Sequence, residues 1–163
     1  SILRRNADER HAGRIARAIV AARPIATTAQ LAEIVRDAIP AAARRSGGHP
    51  ARKTFQAIRI EVNDELEILE DALRQALSLL APAGRCAVLA YHSGEDRIVK
   101  QVLRDAAGEG PRPRPDLPPP PGSEATVALL WRGAEKPSDA EIGRNPRAEA
   151  ARFRAVQKLG AAA

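Results

Sequence analysis

Four residues with useful chemistry sit together at His92, Ser93, Glu95 and Asp96, in the stretch AVLAYHSGEDRIVK (residues 87–100). Imidazole, hydroxyl and carboxylate are the parts of a hydrolytic triad, which must converge in space to work. Neighbouring residues on a strand-to-helix turn diverge instead. Tyr91-His92-Ser93-Gly94-Glu95 also lacks the first glycine of a G-x-S-x-G nucleophile elbow. Ser93 with Asp96 fits an S-x-x-D helix cap, and acids suit the positive end of a helix. The expectation is a cap at Ser93, with His92 and Ser93 at the carboxyl end of a strand. Open α/β sheets bind ligands at that place, so both are candidates for the rim of a substrate pocket.

Other chemistry is sparse. His11, His49 and His92 are far apart and lack metal-ligand spacing, and the single Cys86 permits neither an internal disulfide nor a cysteine pair for zinc. Charge is the stronger signal. Residues 1–60 hold 12 Lys and Arg against 4 Asp and Glu, a local +8 within a chain of net +6. Arg44, Arg45, Arg52, Lys53 and Arg59 form the densest group, and Arg10, Arg14 and Arg17 line one face of a helix. Such a group either contacts phosphates of a polyanion or is a solvated face. Gly47-Gly48-His49 lacks the preceding buried strand of a phosphate loop and reads as a connector.

The elements that must position these residues follow from periodicity. Residues 2–22 read as a helix ended by Pro24, and TTAQLAEIVRDAI as a second one opened by a Thr27–Gln30 capping box. From Thr54 to Leu80 apolar residues recur at steps of three or four. Asn63-Asp64-Glu65 inside that run reads either as one solvated face or as a cap between two helices. Cys86–Tyr91 reads as a buried strand, Glu95–Ala107 as a helix, and EATVALLW as a second strand. Between them, residues 111–122 hold 7 of the 13 prolines and form an extended linker. Ala148–Leu159 looks helical by composition. Aromatics are only 2% of the chain, so the core must be Ala, Val, Ile and Leu. No apolar run approaches the length of a membrane span. The absence of methionine, with a helical pattern from the first residues, favours a piece of a longer protein.

Three stretches carry a specific resemblance. HPARKTFQAIRIEVNDEL (49–66), GRCAVLAYHSGEDRIVKQVL (84–103) and NPRAEAARFRAVQKL (145–159) resemble, in order, signatures of the bacterial 16S ribosomal RNA cytosine-N4 methyltransferase family. ERHAGRIARAIVAAR fits that family's helical insert. The resemblance implies an α/β fold: the carboxyl part of a class I S-adenosylmethionine-dependent methyltransferase, with a Rossmann-like sheet and a helical insertion. Residues 1–50 would be the RNA-binding insertion and 51–163 the carboxyl portion of the methyltransferase domain. The implied reaction moves a methyl group from S-adenosylmethionine to the exocyclic amine of a cytidine, with 16S rRNA or the small ribosomal subunit as partner, in the cytoplasm. A homodimer is compatible with this reading. The family's Gly-rich cofactor loop has no counterpart in this chain, so the cofactor would be held mainly by an amino-terminal half.

For that reaction His92 and Ser93, by their strand-end position, and Asn63 are substrate-pocket candidates, and in the basic first part Arg14, Arg17, Arg44, Arg45, His49, Arg52, Lys53 and Arg59 are RNA-binding candidates. Gly94 stands where the family usually has Leu, and Glu149-Ala150 replaces a more usual Arg-Ser pair. A non-catalytic RNA- or ribosome-binding module is the competing class.

Overall fold

A computed structural model describes residues 2–45, 48–110 and 124–160. Gly47 and the proline-rich 111–122 stretch lie outside the described residues. The chain divides into two compact units, Ser1–Glu65 and Leu66–Ala163.

The first unit is helical: α1 (Ile2–Ala7), α2 (Ala12–Ala21), α3 (Thr28–Ala38) and α4 (Arg52–Val62). The expected single helix over 2–22 is two. Asp8 takes a left-handed backbone (φ 46°), which ends α1. The buried Glu9 carboxylate then accepts from the His11 backbone N–H at 2.8 Å. The Thr27 cap forms as expected, its hydroxyl accepting from the Gln30 N–H, while the Gln30 side chain accepts from Ala26 N–H. Leu3, Ile15, Val35, Ile39 and Ala57 are core residues.

α1 packs along α4, and one polar contact fixes their register. Buried Asn6 donates to the Ala57 carbonyl (3.2 Å) and to Glu61 (2.9 Å), and Arg5 pairs with the same Glu61 oxygen at 2.6 Å. This packing draws α4 into the first unit. The boundary between the two compact units falls after Glu65.

The 54–80 run breaks where Asp64 turns left-handed (φ 50°). Asn63 closes α4 rather than opening the next helix, α5 (Glu65–Leu79).

The second unit holds β1 (Arg85–Ala90), α6 (Ser93–Ala106), β2 (Val127–Leu129), the short α7 (Asp139–Arg144) and β3 (Arg152–Lys158). The expected helix over 148–159 is instead a 3-10 turn, Pro146–Ala150, followed by β3. Its Ala- and Arg-rich composition favours helix, but pairing on both sides overrides propensity. β3 runs antiparallel to β1 (Cys86 opposite Val156) and to β2 (Ala128 opposite Gln157), giving the order β1-β3-β2. β1 and β2 thus point the same way.

β1 is not the fully buried strand expected from its apolar run. Cys86, Val88 and Ala90 turn toward the core, whereas Leu89 and the following Tyr91 are about half exposed. The core joins Leu73 and Leu77 of α5, Val99, Val102 and Leu103 of α6, Val127 and Val156. Asp96 in the first turn of α6 takes the Arg154 guanidinium as a two-pronged bridge (2.8 and 3.1 Å), with side chains 22% and 13% exposed.

Two outcomes follow. Arg154→Ala strands a largely buried carboxylate and should cost about 2 to 3 kcal/mol, somewhat less than a fully dry pair. Urea unfolding read by the single tryptophan, Trp131, checks this, and an unmoved midpoint would refute it. The Glu61 carboxyl is held below its ordinary value of 4.5 by hydrogen bonds from Arg5 and then Asn6. Its contribution is therefore present above pH 4.5 and lost as pH falls through the lower folded value. Glu61→Gln should flatten that acid limb in a helicity titration.

Candidate functional site

At the end of β1 the backbone turns into α6, and the first four N–H groups of a helix need acceptors. The sequence offers two registers, Ser93 with Asp96 or His92 with Glu95. The second wins. The Glu95 backbone N–H donates to His92 Nδ1 (3.3 Å), and Glu95 Oε2 accepts from the N–H of His92 (3.2 Å) and of Tyr91 (2.8 Å). This is a capping box with histidine as the cap, and Ser93 is the first helical residue. The cap expected at Ser93 is therefore corrected by one position. The signal that could have found it was Glu, the preferred partner three residues after a cap. Asp96, assigned to the cap, instead holds Arg154.

The imidazole lies folded over its own helix. A Cβ built on Gly94 would sit 3.1 Å from His92 Nδ1 and 3.2 Å from Cε1. His92 Nε2 is 3.3 Å from Glu95 Oε1 but buried and without an aligned hydrogen-bond partner. Since Nδ1 accepts, the neutral ring carries its proton on Nε2. Both carboxylates near Ser93 are committed, Glu95 to the cap and Asp96 to Arg154, so the triad reading loses its orienting acid. Burial pushes the Cys86 thiol up, which suits packing rather than nucleophilic work. Asn63 belongs to the first unit, where its amide donates to Glu65 (3.1 Å).

The basic candidates separate into groups. Arg44, His49, Arg52 and Lys53 line one cavity of about 400 Å³ in the first unit, together with Arg10 and His11, which were not among the RNA-binding candidates. They come from the α1–α2 turn and the segment leading into α4, which meet because α1 lies along α4. Within this group Arg44 is anchored, donating to the carbonyls of Ile39 (2.8 Å) and Asp37 (3.2 Å), and Lys53 donates to the Asp8 carbonyl (3.3 Å). Arg45 ends the adjoining 3-10 turn. Arg14 and Arg17 are exposed on α2 and do not line the cavity. Arg59 is engaged in a two-pronged bridge to Glu65 (2.7 and 2.8 Å).

The cap makes a measurable distinction. His92→Ser keeps a cap acceptor and should hold stability within a few tenths of a kcal/mol, whereas His92→Ala should lose about 1 kcal/mol. Equal denaturation midpoints for the two variants would contradict the capping role.

Residues 1–159 match the MraW methylase family. The ribosomal RNA small subunit methyltransferase H of Thermobifida fusca is 55% identical over 161 residues, covering 96% of this chain and 48% of the relative. The protein of that name from Parafrankia sp. is 51% identical over 168 residues (98% and 50%), and that from Salinispora tropica 55% over 163 (97% and 43%). The chain spans about half the length of the curated relatives it matches.

Proposed function

The chain belongs to the MraW methylase family, and on that premise we propose that it serves a small-subunit ribosomal RNA methyltransferase acting on the exocyclic N4 amine of a cytidine. The observation that carries this reading is the likeness running through both units to relatives named for that activity. The Rossmann-like placement is supported by the sheet. β1 feeds α6, β1 and β2 run parallel with antiparallel β3 between them, and the outer edge of β1 has no partner among the described residues. Further strands would add at that edge.

S-adenosylmethionine is the cofactor the family implies. The described residues do not fit a cradle for it. The turn after β1 is Tyr91-His92-Ser93 rather than Gly-rich, and its carboxylates are already committed to the cap and to Arg154. Holding the cofactor is therefore assigned to the portion of the relatives that this chain does not match.

This chain's own part is substrate handling. A cytidine amine is a weak nucleophile, so the base must be unstacked and held in line. His92 and Ser93 are assigned to the rim of that pocket. The capping box fixes the imidazole rotamer and Nε2 is buried, so the ring contributes a rigid wall to the rim rather than a general base. The first unit is assigned the phosphates of small-subunit rRNA, through Arg10, Arg52 and Lys53 around the basic cavity. A cytoplasmic setting follows from that substrate.

Two experiments test the reading. In the complete methyltransferase, single-turnover methylation of small ribosomal subunits should yield N4-methylcytidine. His92→Ser, which keeps the cap, should slow it by about tenfold or more, and an unchanged rate would remove His92 from the pocket. Triple substitution of Arg10, Arg52 and Lys53 by Ala should lower the salt slope of RNA binding by about two to three. An unchanged slope would remove the cavity from the RNA interface.

A further inference from the structure

A second cavity, of about 520 Å³, lies in the second unit between α6, the end of β2 and β3, away from the strand-end turn at His92. The methyl-transfer reading makes no use of it. Its wall carries Trp131, the only tryptophan of the chain, whose ring stacks on Phe153 with centroids 5.4 Å apart and planes 26° apart. The stack fixes the ring. The indole N–H is buried and has no acceptor among the described residues, a donor the protein alone leaves unsatisfied.

Charge around the ring is positive. Arg154 is neutralised by Asp96, and Arg104 lies 3.7 Å from Glu109. Lys100 and Arg132 line the same cavity, are exposed, and have no carboxylate partner among the described residues. Leu103 and Leu129 supply an apolar floor. A flat aromatic surface, an apolar floor and two uncommitted cations suit a nucleotide, whose base stacks and whose phosphate takes the cations. The volume is in the range of small-ligand sites.

We propose that this cavity binds a nucleotide of single-stranded RNA, with the base against Trp131 and the phosphate at Lys100 and Arg132. It is a second RNA contact, separate from the first unit's basic cavity, and it rests on the reading that the protein acts on RNA. A free nucleotide offers the same chemistry, so the test has an arm for each source.

Because Trp131 is the sole tryptophan, its fluorescence reports this cavity alone. A short single-stranded oligoribonucleotide titrated into the chain at low salt should quench Trp131 saturably. Lys100→Ala with Arg132→Ala should weaken that binding by about tenfold, the scale of one lost base or phosphate contact. Both side chains are exposed and have no carboxylate partner among the described residues, and the circular dichroism of the variant should match that of the parent chain. In filter binding, Trp131→Phe should retain most of the affinity and Trp131→Ala should lose about tenfold.

RNA retained on the filter with Trp131 fluorescence unchanged would overturn this proposal while leaving the RNA reading standing. No retention by any unit would sink the RNA reading itself. Quenching by cytidine 5′-monophosphate as strong as by the oligonucleotide would overturn the RNA assignment in favour of a free-nucleotide site.

Discussion

The second unit depends on one strand. Among the described residues β1 and β2 do not pair with each other, and each is hydrogen-bonded only to β3. Removing β3 leaves two isolated strands, one of only three residues. β3 also carries Val156 into the core and Arg154 to Asp96, so the same seven residues join the sheet, bury the apolar face of α6 and pin its first turn. The pin sits one turn from the His92 cap. The geometry at the end of β1 is therefore set from the far side of the sheet as much as by its own sequence.

The helical unit solves a different problem. With few large side chains, it closes around a core containing several alanines, and small residues allow helices to approach closely but bury little area. Asn6 compensates by tying α1 to α4 through a carbonyl and a carboxylate. That register brings the turn after α1 beside the start of α4 and so gathers cations from distant parts of the sequence into one cavity.

Local signals were legible in the sequence. The Thr27 cap, the α5 stripe and the strand-to-helix turn after Ala90 all follow from short-range chemistry. Elements decided by distant partners were not. β3 reads as helix because Arg, Ala and Gln favour helix, and only pairing with β1 and β2 makes it a strand. The split after Ala7 turns on the left-handed Asp8, a residue type that tolerates that conformation without demanding it. At the site, Arg44, Arg52 and Lys53 were found by charge density, whereas Arg10 and His11 join them only through packing. Arg59 was indistinguishable from its neighbours until its bridge to Glu65 was seen.

Gly94 ties the backbone of the strand-end turn to the ring that caps it. The His92 ring occupies space that a side chain at 94 would enter, with contacts near 3.1 Å. Positions 92 and 94 are therefore energetically coupled, and substitutions there are not independent. A side chain at 94 asks the imidazole to give by a few tenths of an ångström, so its effect on stability is decided by how far the cap lets the ring move.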